Sequence, residues 1–205
     1  LLSLEQKALQ LQMNPHFIFN VLNGIKALGN SGKTEELNTT ISQFSILLRS
    51  ILSNSRKDEI SLKEEIESLK NYIELEQKMS SKIFEYQIIT NLNNIDIEEI
   101  LIPTMLMQPF IENAIKHGIQ ANQKGKITIC FDVKHHFLNC SIVDNGIGIH
   151  QSKKEKRNLN HDSLALKVRI QHISTKNSFS IDEIVADSII KGTKVWFKIP
   201  LKTDY

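Results

Sequence analysis

"QPFIENAIKHG", residues 108–118, crowds a carboxamide, a carboxylate, an ammonium and an imidazole into a few helical turns. At helical spacing Gln108, Glu112 and Lys116 share one stripe with Asn113 beside them, while Leu106, Phe110 and Ala114 turn the other way into a core. Two readings stand. The stripe is a solvent face, with Glu112 and Lys116 as an i,i+4 pair worth a few tenths of a kcal/mol. Alternatively it offers an oxygen ligand to magnesium, which prefers hard oxygen donors, and cations to phosphates. The longer segment begins "IPTMLM" (102–107), so Pro103 is expected at the first helical turn and Gly118 at the C-terminal cap.

Further along, "SIVDNGIGI" (141–149) ends an apolar strand on Asp144, with Gly146 and Gly148 behind it. A buried carboxylate there can accept a hydrogen bond from an exocyclic amine such as that of adenine, and glycines let a flat ligand approach the backbone. The same letters also spell a hairpin turn, for which Asp or Asn before Gly is the usual signal.

Around these stretches "FEYQIIT" (84–90), "KITICFDV" (126–133), "FLNCSIVD" (137–144) and "KVWFKIP" (194–200) read as strands, with "KHHF" at a tight hairpin. "DSLALKVRIQHIS" (162–174) reads as a further helix, and the charge-rich "HQSKKEKRNLNH" (150–161) as a solvated loop. Upstream the pattern is helical throughout. Leu4, Ala8 and Leu11 continue in phase with Ile18, Leu22 and Ile25 until "GNSGK" (29–33). Leu37, Ile41, Phe44, Leu48 and Ile51 then step by four and three, the rhythm of a helical-bundle seam. Ser61 and Glu64 open a third segment as a capping box; it either continues the second helix or follows a break. Helices first and a mixed layer after place the domain boundary between 79 and 84, giving a helical region over 1–80 and an α/β domain over 81–205.

Composition excludes more than it names. Among 205 residues, 25 basic and 23 acidic side chains leave a net charge of +2, too little field to argue for nucleic acid or an anionic membrane. Cys130 and Cys140 lack the spacing of a zinc or redox motif and are expected as buried thiols in a reducing compartment. No run is long and apolar enough to span a bilayer. The chain opens on Leu1 inside a helical pattern, which suggests a piece of something longer.

The order of an Asn-bearing helix, a DxGxG turn and a glycine-led terminal strand, "GTKVWFKIP" (192–200), resembles the ATP-binding domain of the GHKL superfamily over residues 84–201. Together with "NPHFIFNVLN" (14–23), the wording is similar to the LytS/YehU-type sensor histidine kinases over nearly the whole chain. The resemblance implies an α+β protein: a helical dimerisation and phosphotransfer hairpin, forming a four-helix bundle in the dimer through seams around Phe44 and Leu48, then a GHKL (Bergerat) α/β sandwich.

It also implies roles. Asn113 would bind magnesium, with Glu112 as a polarising or metal-shell carboxylate, and Lys116 and His117 would approach the phosphates of ATP. Asp144 would read adenine, Gly146 and Gly148 would allow contact, and Gly192 and Thr193 would line the far side. Residues 150–165 would form a lid, bringing Lys153, Lys154, Lys156 and Arg157 toward the triphosphate. Many relatives carry a GxGL box after the lid; here it is "SLAL", with Ser163 and Ala165 in place of glycines, which do not reproduce glycine's backbone freedom.

His16 is the expected phosphoacceptor, since a neutral imidazole can attack the terminal phosphoryl group of ATP and pass it to an aspartate. Pro15 before it either kinks a continuous helix, the reading favoured by the apolar phase, or starts a new one with Asn14 as N-cap. Asn20, one turn on, can hold a water or a phosphate oxygen. Where many histidine kinases place an acidic residue after the histidine, this chain has Phe17, leaving Asn20, solvent or Glu112 as candidates to orient or deprotonate the ring. His135, His136, His150 and His161 fall at the hairpin or the lid. The expected partners are a second copy of the chain and a response regulator, often of LytTR type in this family. No direct nucleic-acid contact is expected, and the fragment would lie on the cytoplasmic side of the membrane that holds the full-length sensor. The alternatives are a GHKL ATPase without phosphotransfer, disfavoured because Pro109 stands where such enzymes place a catalytic glutamate, and a degenerate nucleotide-binding or dimerising scaffold.

Overall fold

The computed structural model describes residues 15–119, 124–148, 178–186 and 189–203. The helices are α1 (Pro15–Asn30), α2 (Thr34–Asn54), α3 (Leu62–Met79) and α4 (Gln108–Asn113), the last running into a π-helical turn at Ala114–Gly118. The strands are β1 (Glu59–Ser61), β2 (Phe84–Asn91), β3 (Ile100–Pro103), β4 (Gly125–Lys134), β5 (Phe137–Asp144), β6 (Phe179–Ala186), β7 (Ile189–Pro200) and β8 (Lys202–Thr203). They form two compact units, residues 1–81 with 101–107, and residues 82–100 with 108–205. Helices followed by a mixed sheet make the α+β arrangement expected from the sequence.

In the first unit, α1, α2 and α3 share one core. Phe17 and Val21 on α1, Phe44, Leu47 and Ile51 on α2, and Leu62, Ile66, Leu69 and Ile73 on α3 are all buried. Phe17 lies between two rings, 4.6 Å from Tyr72 and 6.5 Å edge-on from Phe44. Phe44, expected at an intermolecular seam, is therefore used within the chain, because α1 presents an aromatic knob to it. The third helix does follow a break. Its capping box is complete: the Glu64 amide donates to Ser61 Oγ at 3.1 Å and the Ser61 amide to Glu64 Oε2 at 3.0 Å.

Leu101, Ile102 and Pro103 pair antiparallel with β1, so Pro103 closes a strand and does not open a helix. The β-branched Ile100 and Ile102 decide this, since both are buried in a ladder, and Met105 at φ 54 turns the chain before α4 begins. The turn is held by the Met107 amide, which donates to the buried Glu65 carboxylate at 3.0 Å.

In the second unit a five-stranded sheet runs in the order β2-β4-β5-β7-β6. β2 and β4 are parallel and the other neighbours antiparallel. The four expected strands lie inside β2, β4, β5 and β7. His135 and His136, at φ 48 and 62, make the tight hairpin between Lys134 and Phe137. Along β5 every second residue is buried, namely Leu138, Cys140, Ile142 and then Asp144, so the carboxylate continues an apolar row. α4 is fixed in this unit by Phe110, whose ring lies 5.4 Å from Phe197 and 6.0 Å from Phe179. Cys140 is buried as expected; Cys130 is half-buried, on the other face of its strand.

Candidate functional site

Asp144 is 6% exposed at the end of β5, in register with Ile127 on one side and Thr193 on the other. Its Oδ1 accepts the Gly146 amide at 2.9 Å. Burial pushes the carboxyl above the ordinary aspartate range, opposed by hydrogen bonds from the backbone amides of Gly146 and Thr193. The result is a desolvated acceptor held in one orientation.

Three glycines make room for it. A Cβ on Gly118 would stand 2.8 Å from the Asp144 carboxylate, one on Gly146 would stand 1.8 Å from the Gly118 carbonyl oxygen, and one on Gly192 would stand 1.8 Å from the Asp144 carbonyl oxygen. Gly146, read from sequence as space for a ligand, is thus filled by the chain itself. Gly118, read only as a helix terminator, belongs to the same cluster. Gly148 adopts φ 75, a left-handed conformation that suits glycine. Asn145 clips the turn to β4, accepting the Lys126 amide at 2.6 Å and donating to the Lys124 carbonyl at 3.2 Å.

α4 and its π-helical turn supply the second group. Gln108 is buried and donates to Glu112 Oε1 at 3.0 Å, so the polar stripe is not a plain solvent face. Glu112 and Asn113 are half-buried, and the Asn113 carboxamide makes no capping bond. The Ile119 amide donates to the Ala114 carbonyl at 3.1 Å, five residues back. That five-residue spacing makes the turn π-helical, and the Lys116 side chain on it is exposed. His117 lies on the same turn. Glu112 and Asn113 are adjacent hard-oxygen donors, a set that fits magnesium better than a soft metal. Among the described residues no three His, Cys, Asp or Glu side chains gather into a metal cluster.

The third group is on the other unit. His16 on α1 is exposed, and its Nδ1 lies 3.1 Å from Asn20 Nδ2. Phe17 beside it is 1% exposed and points into the core, so the position after the histidine is a packing anchor and brings no acid to the ring. The turn before Pro15, where the kinked and interrupted helices differ, lies outside the described residues. So do the lid residues Lys153, Lys154, Lys156 and Arg157, the helix expected over 162–174 with Ser163 and Ala165, and His150 and His161.

Residues 4–84 match the family model described as histidine kinase. Over 205 residues the chain is 31% identical to "Sensor protein LytS" of Bacillus subtilis, covering 97% of this chain and 34% of that protein. It is 38% identical over 162 residues to "Sensor protein LytS" of Staphylococcus saprophyticus, covering 74% of this chain and 25% of the relative. It is 34% identical over 157 residues to "Sensor histidine kinase/phosphatase LytS" of Staphylococcus aureus, covering 73% and 25%. The chain therefore spans between 25% and 34% of the length of these relatives. The histidine kinase domain of the Erythrobacter litoralis EL346 blue-light activated histidine kinase shares the fold, with a TM-score of 0.50 at 14% identity, over 97% of this chain and 93% of that one.

Proposed function

We propose, for a chain that belongs with the histidine kinases through residues 4–84 and resembles the LytS sensors along nearly its whole length, that it is the catalytic region of a two-component sensor kinase: it takes the terminal phosphoryl group of ATP onto His16 and passes it to an aspartate of a response regulator. The observation that carries this reading is the buried, oriented Asp144 carboxylate beside a helix bearing Glu112 and Asn113, on a chain that also exposes His16.

In this reading Asp144 accepts the exocyclic amine of adenine, and its burial makes the bond selective. Gly192 and Thr193 line the far side, and Gly146 and Gly148 shape the turn. Asn113, with Glu112 beside it, would hold magnesium, which would offset phosphate charge; Lys116 and His117 would approach the phosphates. An imidazole nitrogen of His16 forms the N–P bond as the bond from phosphorus to the ADP oxygen breaks, and ADP leaves. In the second step the carboxylate of the acceptor aspartate forms an O–P bond as N–P breaks. Asn20 sets the tautomer: Nδ2 donating to Nδ1 leaves the ring proton on Nε2, whereas the rotated amide accepts an Nδ1–H and leaves the lone pair on Nε2.

Residues 1–80 would dimerise and carry the phosphoryl group, and 81–205 would bind ATP. The regulator is of LytTR type in this reading, and the fragment works on the cytoplasmic face of the membrane that holds the sensor; no helix among the described residues is long and apolar enough to cross it. Turnover of ATP compared with labelling of the protein tests the function. With terminally labelled ATP and magnesium, wild type should gain acid-labile, base-stable label, and His16→Gln should gain none. ATP hydrolysis persisting unchanged in His16→Gln would favour an ATPase; failure of the wild type to bind nucleotide would favour a scaffold.

A further inference from the structure

The π-helical turn at Ala114–Gly118 joins the two halves of the nucleotide site. It follows directly on Glu112 and Asn113, and it ends on Gly118, whose missing Cβ is replaced by the Asp144 carboxylate. Whatever fixes this turn fixes the spacing of the magnesium and adenine groups. A helix cannot satisfy the carbonyls of its final turn from its own backbone. Here two of them, on Ile115 and Lys116, accept hydrogen bonds from one side chain, with Lys82 Nζ at 2.6 and 2.8 Å. The ammonium also sits at the negative end of the helical dipole, where a cation is favoured. Lys82 lies two residues before β2, and the Gly125 amide donates to the carbonyl of the next residue, Ile83, at 2.8 Å.

We infer that Lys82 is a positioning residue for the nucleotide site, clamping the π-helical turn through the Ile115 and Lys116 carbonyls so that the Asn113 helix and Asp144 keep their register. Its role is to position the turn that carries the site residues. The idea rests on the nucleotide reading above, so its test has one arm that needs no nucleotide.

The full chain is compared with Lys82→Met, which keeps length and loses the donors, and Lys82→Arg, which keeps charge and donors. The first arm is amide hydrogen exchange across residues 115–119, and the second is the dissociation constant for ADP with magnesium. Lys82→Met should exchange these amides about tenfold faster and bind ADP about tenfold more weakly, and Lys82→Arg should recover most of both. Unchanged exchange in Lys82→Met overturns the clamp. Faster exchange with unchanged ADP affinity makes Lys82 merely structural and overturns the positioning role, as does an Arg variant no better than Met. If Lys82→Met does not fold, Lys82→Leu, which also lacks a donor, takes its place with the same criteria. A wild type that binds no ADP sinks the nucleotide reading, while the exchange arm still decides whether the clamp exists.

Discussion

Burial holds the Asp144 carboxyl above the ordinary aspartate range even though two backbone amides favour its charged form. A carboxylate that must accept from an amine loses its function when protonated, so nucleotide affinity should fall on acidification, beginning at a higher pH than an exposed aspartate would dictate. Below that point the loss should approach tenfold per pH unit. Titrating ADP affinity against pH in wild type and Asp144→Asn checks this, because the variant should bind weakly with no such step. Stability moves the opposite way. With its folded pKa raised, Asp144 binds more protons in the folded state across the window between its unfolded and folded values, so this group's contribution to stability declines as pH rises through that window. Asp144 itself was legible in the sequence, as a charge ending an apolar alternation. Its neighbours were less so. Gly118 looked like a helix stop and Gly146 like space for a ligand, because no local pattern reveals that two backbones far apart in sequence meet at that carboxylate.

Among the elements, α1 shows how a departure from a family pattern acquires a physical cause. Phe17 stands where many histidine kinases place an acid, and it packs on Tyr72 and Phe44 while His16, the next residue back, is exposed. Phe17→Ala should cost about 3 kcal/mol, the loss of a large buried ring plus the cavity left behind, measured by urea unfolding. Helical rhythm revealed α2 and α3, and the capping box marked the start of α3 to the residue. Four elements escaped, one of them the two-residue β8. β1 and β3 are too short to show a period, and Pro103 suggested a helix start because the strand it closes depends on a partner from another part of the chain. β6 sets Asp182 and Glu183 side by side between Ile181 and Ile184, which breaks the alternation that marks a strand, and it pairs with β7 across an irregularity between Ile184 and Val185.

At the scale of the whole molecule, the order of motifs carried more information than any one of them. A polar helix, a DxGxG turn or a lone histidine each has an ordinary structural explanation. Placed in series along a chain that passes from helices to a mixed sheet, they admit far fewer readings, and the match of residues 4–84 to the histidine kinase model falls on the segment that bears His16. Locating the phosphoryl group tests the central claim most directly. After incubation with ATP and magnesium, peptide mass spectrometry under neutral to alkaline conditions should find one phosphoryl adduct, on the peptide containing His16, and none in Asn113→Ala. An adduct confined to another residue, or an unmodified His16 in a chain saturated with nucleotide and magnesium, would contradict the account.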